Sequence, residues 1–176
     1  MGEALKRLLQ TVRLERDAFV WMDFNDRATA DGLIFVVITR FLILLGGGWT
    51  ILGLTTNLTG LRLLIQSFIN ALIFWLAYSG ITYAITKFLL DGSGQFAMFL
   101  RMSGFAYPTL LLTIFTARLG LAPIAAFVLG SVWFIAVVSR GVVYEGDLPT
   151  ERAVLAAAGG LIGWIIISAI FSRGLI

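Results

Sequence analysis

Five long apolar runs separate the charged segments of this chain of 176 residues, and they constrain its fold more than any other feature. A helix needs about 20 apolar residues to cross the hydrocarbon core of a bilayer. Hydrocarbon cannot satisfy open backbone groups, so these runs predict helices rather than isolated strands. The predicted spans are Leu33–Leu54, Ser67–Leu89, Ser103–Ala117, Ala122–Ser139 and Ala153–Phe171, and the third is short unless it begins upstream, near Gln95.

Composition agrees with a lipid-embedded chain. Hydrophobic residues make up 59% and charged residues only 13%, whereas a soluble domain carries about a quarter charged residues. We therefore predict an all-α fold, an integral membrane bundle of five transmembrane helices. Residues 1–31 would form a cytoplasmic amphipathic N-terminal segment, and residues 32–176 the five-span membrane domain.

The placement of lysine and arginine predicts the orientation, because cytoplasmic loops collect these residues. One side of the predicted bundle carries nine of them and all ten carboxylates, whereas the other side carries Arg62, Arg118 and Arg173. The N-terminus is therefore expected in the cytoplasm and the C-terminus outside or in a lumen. The expected location is a prokaryotic cytoplasmic membrane, or an endomembrane in a eukaryote. The nine residues are Lys6, Arg7, Arg13, Arg16, Arg27, Lys87, Arg101, Arg140 and Arg152.

The segment "EALKRLLQTV" near the N-terminus has an amphipathic pattern, with Leu5, Leu8, Leu9 and Val12 at helical spacing. Basic residues stand away from this stripe. Two interpretations stay open: an interfacial helix against anionic lipid headgroups, or a helix packed under the bundle.

Enzyme and cofactor signatures are missing from the sequence. The chain has no histidine and no cysteine, which removes the usual general base, thiol nucleophiles and common zinc ligands. The motifs of serine hydrolases, zinc proteases and P-loop proteins are also absent. We expect no enzyme activity, no cofactor and no metal. Nucleic-acid binding is not expected either, because the basic residues are few and close to the membrane.

Two polar features outside the runs have simple interpretations. Glu145, Asp147 and Glu151 cluster in one connection, but the spacing of a calcium loop is absent. We take Glu145 and Asp147, together with Asp91 in the connection between the second and third spans, as candidates for contact with a partner or with lipid headgroups instead. Asn57–Thr59 forms a formal glycosylation sequon, which we discount because it lies so near the membrane.

Arg40 stands inside the first apolar run, where an arginine is costly and is a functional hypothesis by default. We favour an arginine that snorkels to the cytoplasmic headgroups, with a span running from Phe41 to about Leu58; a buried structural arginine is the next interpretation. A third is a polar cavity that Arg40 shares with a stripe on the second span. That stripe consists of Asn70, Ser79, Thr82 and Thr86, although such hydroxyls more often bond within or between helices.

Small residues at four-residue spacing predict close helix packing. The fifth span has Gly159 and Gly163, and the fourth pairs Ala126 with Gly130. Packing inside the bundle is the simpler interpretation, and a homodimer seam is the alternative.

The stretch "GSGQFAMFLRMSGFAYP" (residues 92–108) joins the second and third spans. Its "GSG" follows Asp91 and lacks the preceding strand of a phosphate loop, so we predict a turn. Arg101 lies off the apolar face and is expected to snorkel into headgroups. Pro108 should kink the helix or mark the start of the deep span.

This stretch resembles the Yip1 family, most closely its compact bacterial and archaeal members. There, a polar-glycine turn leads through an F-x-x-x-L-R-type segment into G-[FY]-x-x-P or a near variant. The resemblance implies five spans, covers about Gly32 to the C-terminus, and makes Gly92, Arg101, Gly104, Tyr107 and Pro108 candidate functional positions. The positions that carry it are Gly92, Gly94, Phe96, Leu100, Arg101, Gly104, Phe105, Tyr107 and Pro108.

Eukaryotic members of that family are linked to Rab GTPases and carry a longer N-terminal region, often with a D-L-Y-G-P motif that this chain does not contain. The expected function is therefore that of a non-enzymatic adaptor or membrane-organising factor. It would act through the cytoplasmic face on a protein partner, on lipid headgroups or on a second copy of itself. The alternative is a small transporter or permeation subunit with a polar cavity around Arg40 and the second span.

Overall fold

The computed structural model describes residues 2–46, 61–120 and 122–174, which are helical apart from short connections and contain no strand. Two short helices, α1 (Gly2–Val12) and α2 (Arg16–Asp23), precede the long ones. The others are α3 (Arg27–Leu45), α4 (Leu61–Ala84, extended by a π-helical turn, Ile85–Leu89), α5 (Phe96–Ala106, followed by a 3-10 turn, Tyr107–Leu111), α6 (Leu112–Arg118), α7 (Pro123–Gly146) and α8 (Thr150–Gly174).

Within the described residues, five helical segments are long and apolar enough to cross a membrane, in agreement with the predicted number. The third begins at Phe96, close to the predicted upstream start. The first begins at Arg27, earlier than the predicted Leu33. Its predicted end at Leu54 and the Asn57–Thr59 sequon lie outside the described residues. The segments are Arg27–Leu45, Leu64–Leu89, Phe96–Thr116, Ile124–Gly146 and Thr150–Ile170.

The N-terminal helices belong to the same apolar core as the spans. Ala18, Phe19 and Met22 of α2 are fully buried against residues of α5 and α7, and α1 packs against α5 through its Ala4 and Leu8 side. The predicted boundary between residues 1–31 and 32–176 falls inside α3. Because its Ala4 and Leu8 side contacts α5, helix α1 packs under the bundle, while Leu5 and Leu9 on its outer side stay exposed.

Helix α5 is the centre of the bundle, and its span is the most deeply buried of the five. It contacts α3, α4, α7 and both N-terminal helices. Small side chains at Ser103, Gly104 and Ala106 permit this close approach, because helices in lipid associate through small residues. A Cβ atom on Gly104 would lie 2.8 Å from the Cα of Gly32 in α3.

Pro108 interrupts the third span. The α-helix ends at Ala106, a 3-10 turn follows, and α6 resumes the helix at Leu112. Proline has no backbone N–H and its ring clashes with the carbonyl four residues earlier, so the α-helical hydrogen-bond pattern cannot continue through it. The structure agrees with the predicted interruption at this position.

The end of the bundle that carries α1, α2 and the connections 90–95 and 147–149 is called the N-terminal face below. Hydrogen bonds join the two connections: Ser93 N–H donates to the Gly146 carbonyl over 3.1 Å, and Ser93 Oγ donates to the Glu145 carbonyl over 2.9 Å. The chain ends of α2, α4, α5 and α7 therefore meet in one region.

Candidate functional site

Arg101 is the centre of the N-terminal face. Its Nη1 donates to the carbonyl oxygens of Met22 (2.7 Å) and Asp23 (3.1 Å), at the C-terminus of α2. Its Nε donates to Thr29 Oγ1 (3.1 Å), and its Nη2 forms an ion pair with Asp26 Oδ1 (2.6 Å). The final carbonyls of a helix have no partners within the helix, so this guanidinium satisfies them and binds α2 and α3 to α5.

The predicted snorkelling of Arg101 into headgroups is wrong. The residue is only 7% exposed, because acceptors from α2 and from the start of α3 surround the guanidinium. Helical spacing had correctly placed Arg101 off the apolar face. It could not show that the ends of two other helices cover that side, since two of the four acceptors are backbone carbonyls with no signature in the sequence.

Glu145 joins the two connections of the N-terminal face. Its Oε1 accepts a hydrogen bond from the Gln95 backbone N–H over 3.0 Å, at the position that precedes the first residue of α5. A carboxylate is favourable there because it satisfies a free N–H and interacts with the positive end of the helix dipole. Glu145 therefore supports the start of the third span and is half-buried in doing so.

Asp91, Gly92 and Asp147 shape the same region. Asp91 and Asp147 are exposed and adopt positive φ values of 54° and 50°, which end α4 and α7. Gly92 N–H donates to the Thr86 carbonyl over 2.8 Å. A Cβ atom on Gly92 would lie 3.0 Å from the Gly146 carbonyl oxygen, so only glycine fits without displacing backbone. No group of three or more acidic side chains in the described ranges is arranged to hold a metal ion.

Arg40 occupies a second candidate site, inside the membrane-spanning region. It is 8% exposed, and its Nε donates to Ser67 Oγ of α4 over 2.6 Å. Together with residues of α4, the third span, α7 and α8, it lines a cavity of about 370 Å³. Tyr107 lines the same cavity and packs its ring against Phe74 with centroids 5.8 Å apart.

The preferred interpretation of Arg40, snorkelling to the cytoplasmic headgroups, is wrong. Its partner Ser67 lies near the start of α4, at the end of the bundle opposite the N-terminal face. Arg40 is thirteen residues after Arg27, which is about 20 Å along the helix at 1.5 Å per residue. The extended Arg40 side chain cannot reach back to the N-terminal face over that distance. The alternative span from Phe41 to Leu58 lies largely outside the described residues.

The residues of the predicted polar stripe on the second span do not share one environment. Asn70 lines the cavity beside Arg40, but Ser79, Thr82 and Thr86 are absent from its lining. Ser79 Oγ bonds to the Trp75 carbonyl (2.7 Å) and to Ser103 Oγ of α5 (2.6 Å). Thr82 and Thr86 are fully buried between helices. Ser79 therefore follows the helix-packing interpretation, whereas the hydroxyls of Thr82 and Thr86 have no hydrogen-bond partner among the described residues.

The small-residue pairs pack within the chain. A Cβ atom on Gly159 would lie 2.8 Å from Ile85 Cδ1, and one on Gly163 would lie 2.9 Å from Ile81 Cγ2, both on the second span. Gly130 packs against Thr113, and Ala126 is fully buried. The glycine pair of α8 thus faces the chain's own second span.

Several residues of both regions were missed by the sequence reasoning. Ser67 bonds to Arg40, and Ser131 lines the same cavity. Both are single serines in apolar runs, with no sequence pattern that marks them as functional. Phe24 is 85% exposed on the N-terminal face, and its aromatic ring among charged residues is the signal that could have identified it. Comparison of the chain with protein-family models, curated proteins and solved structures finds no match in any of the three.

Proposed function

We propose that the chain is a non-enzymatic multi-pass membrane protein that acts as an adaptor or membrane-organising factor through its N-terminal face. We place this face in the cytoplasm because it carries most of the lysine and arginine residues. The same assignment places the C-terminus outside or in a lumen, most simply in a prokaryotic cytoplasmic membrane. The resemblance to compact Yip1 family members is part of this proposal.

The main support for the proposal is the pair of helices α1 and α2, which pack against each other outside the spans and expose apolar side chains, among them Val20 and Phe24. A groove of about 440 Å³ lies at this hairpin, and the large aromatic side chain at its rim, Phe24, is almost fully exposed. Exposed aromatic residues next to charged groups are typical of protein-binding hot spots. The groove is lined by Arg7, Asp17, Val20, Trp21, Phe24 and Asn25.

The groove is held in shape by the chain itself. Arg101 binds the end of α2, as described above, and the Arg7 guanidinium stacks on the Trp21 ring with 5.6 Å to its centroid. Arg7 also pairs with Glu3 at 3.0 Å. A surface that is ordered before binding loses little conformational entropy when a partner docks. The proposed occupant is an amphipathic segment of a protein partner.

The outer side of α1 supports contact with the membrane surface as well. Leu5 and Leu9 are exposed one helical turn apart, and Lys6 and Arg13 beside them are also exposed. An apolar edge flanked by basic side chains suits the boundary between anionic headgroups and acyl chains. This arrangement supports the membrane-organising side of the proposal.

The transport alternative receives less support. It required Arg40 and the whole second-span stripe to face one cavity, and of the stripe only Asn70 does so among the described residues. We therefore retain the adaptor proposal as the primary one.

The test is site-specific photo-crosslinking in cells that express the full chain natively. A photoreactive phenylalanine analogue replaces Phe24 in one strain and Phe115, an exposed residue of α6 near the opposite end of the bundle, in another. We expect one stoichiometric protein adduct from position 24, which Val20→Asp abolishes, and none from position 115. Adducts with lipid alone would favour the membrane-organising role over the adaptor role. Absence of any adduct specific to position 24 would contradict both.

A further inference from the structure

Arg40 lies buried within the first span without a carboxylate beside it in the described part of the chain. All Asp and Glu residues lie near the N-terminal face: in or beside α1 and α2, near the starts of α3 (Asp31) and α8 (Glu151), at the end of α7 (Glu145), or in the connections. Ser67 accepts the hydrogen of Nε, and the two Nη groups carry the other four N–H donors of the guanidinium. A cation at this depth is costly unless an anion or several acceptors compensate it.

The cavity in front of Arg40 combines a polar end with aromatic walls. Its polar side chains include Asn70 and Tyr107, which offer amide and phenol hydrogens beside the guanidinium. Phe74, Phe134 and Trp164 form apolar walls. A volume of about 370 Å³ is within the range of small-molecule sites, which are mostly apolar with a few converging polar groups.

Ser131 adds a further polar side chain to the lining of this cavity. Its side chain is buried, at 5% exposure, and it lines the cavity. Its Oγ has no hydrogen-bond partner among the described residues. Buried hydroxyls are nearly always bonded, and Thr82 and Thr86 are likewise buried and unpaired away from the cavity; Ser131 Oγ is covered by neighbouring atoms, and a change of its side-chain rotamer would bring the hydroxyl to the cavity that the residue lines.

The cavity also reaches the outer surface of the bundle. Two of its lining residues, Phe127 on α7 and Ile165 on α8, are exposed on the membrane-spanning surface. A molecule can therefore place its polar end at Arg40 while its apolar part extends between these two helices toward lipid. Water-soluble anions would not gain from the aromatic walls.

We propose that this cavity binds an anionic amphiphile, a carboxylate or phosphate attached to an apolar chain. The Arg40 fork holds the anion through its Nη groups, since guanidinium geometry matches the paired oxygens of these groups. Ser131 and Tyr107 donate further hydrogen bonds to it, and the chain lies along Phe74 and Trp164. This site is separate from the docking groove of the N-terminal face, and either proposal can fail without the other.

The test uses the full-length protein in neutral detergent, with dibrominated stearate as a quencher of Trp164 fluorescence. We expect saturable quenching by the stearate but not by its uncharged methyl ester, and loss of the saturable part in Trp164→Phe. Arg40→Gln should raise the half-saturating concentration about tenfold or more, because the charge-assisted bonds are lost. Ser131→Ala should raise it about threefold.

The matched control is Arg27→Gln, which removes an exposed arginine from the same helix and should leave quenching unchanged. If Arg40→Gln does not elute as a folded protein, Arg40→Lys and Ser131→Ala still test the proposal. Arg40→Lys keeps the positive charge but cannot form the two parallel hydrogen bonds of a guanidinium, so it should also weaken binding. Equal binding of the ester, or unchanged binding in both cavity variants, would overturn the proposal.

A second measurement separates the two sources of the anion. Native mass spectrometry of protein taken from nanodiscs containing phosphatidylglycerol or phosphatidylcholine should show one retained anionic phospholipid if the headgroup is the natural ligand. That adduct should be absent in Arg40→Gln. Retention of added stearate without any phospholipid would assign the site to a free carboxylate, which also fits the proposal. Retention of phosphatidylcholine in equal measure would contradict it.

Discussion

Gly32 and Gly104 touch where the first and third spans cross, and a Cβ atom on Gly104 would lie 2.8 Å from the Gly32 Cα. Backbone rather than a flexible side chain limits this contact, so an added methyl group must push one helix away from the other. Gly104→Ala is expected to destabilise the bundle by about 1–3 kcal/mol, the usual cost of overpacking. Unfolding in mixed micelles of increasing denaturing detergent measures the difference.

Gly80→Ala is the control for this prediction. Gly80 lies in the middle of α4, and a Cβ atom there would lie 3.9 Å from Phe96, an ordinary contact. Alanine is the better helix former by about 1 kcal/mol, so this variant should be as stable as the wild type or more so. Equal destabilisation by both substitutions would mean that Gly104 is not at a backbone crossing.

Arg101→Gln should release the end of α2 from the bundle. The substitution removes a charged donor from the Met22 and Asp23 carbonyls, of which Met22 keeps only a 3.4 Å bond from the Asn25 N–H. Hydrogen bonds to a charged group contribute about 1.5–3 kcal/mol. We expect faster proteolysis between α1 and α3 and faster amide exchange in α2, while the spans stay protected.

Two variants define which contact of Arg101 matters. Asp26→Asn removes the ion pair only, and the Asp26 side chain is fully exposed, so solvent screening should leave stability almost unchanged. Arg152→Gln removes an exposed arginine near the start of α8 and should not alter exchange in α2. If Asp26→Asn releases α2 as strongly as Arg101→Gln, the ion pair rather than the carbonyl contacts holds the helix.

The sequence predicts the number of spans because apolar length is a local property of the chain. It also predicts the interruption at Pro108, since proline breaks the helix through its own covalent geometry. It does not predict how each helix is rotated in the bundle. Gly104 was a candidate only by resemblance, and its partner Gly32 carried no signal, because their contact joins distant parts of the chain.

Arg40 and Arg101 were misjudged for the same physical reason. Hydropathy measures the cost of leaving arginine in lipid, and snorkelling is the simplest way to avoid that cost. Arg101 avoids it through backbone carbonyls of α2, and Arg40 through Ser67 and a cavity. Helix-end carbonyls and a single serine have no sequence pattern that marks them as partners.

Glu145→Ala should loosen the start of the third span. The variant removes the acceptor of the Gln95 N–H, and loss of an N-terminal cap typically costs about 0.5–2 kcal/mol. The half-buried carboxylate is partly screened by water, so we expect the lower part of that range. Amide exchange over residues 95–98 should accelerate. Glu151→Ala, an exposed carboxylate in the first turn of α8, should leave that exchange unchanged.

The bond between Ser79 Oγ and Ser103 Oγ, 2.6 Å long, links the second and third spans and suits a double-mutant cycle. Each hydroxyl has one hydrogen, so the serine that donates to the other gives up the backbone acceptor in its own helix, Trp75 for Ser79 or Leu100 for Ser103. The coupling between Ser79→Ala and Ser103→Ala should therefore be small, about 0.6 kcal/mol, as for other hydrogen bonds between membrane helices. Ser139→Ala, whose hydroxyl bonds within its own helix, should show no coupling with Ser79→Ala. A coupling well above that value would mean that the serine pair, rather than the small residues of α5, holds these two spans together.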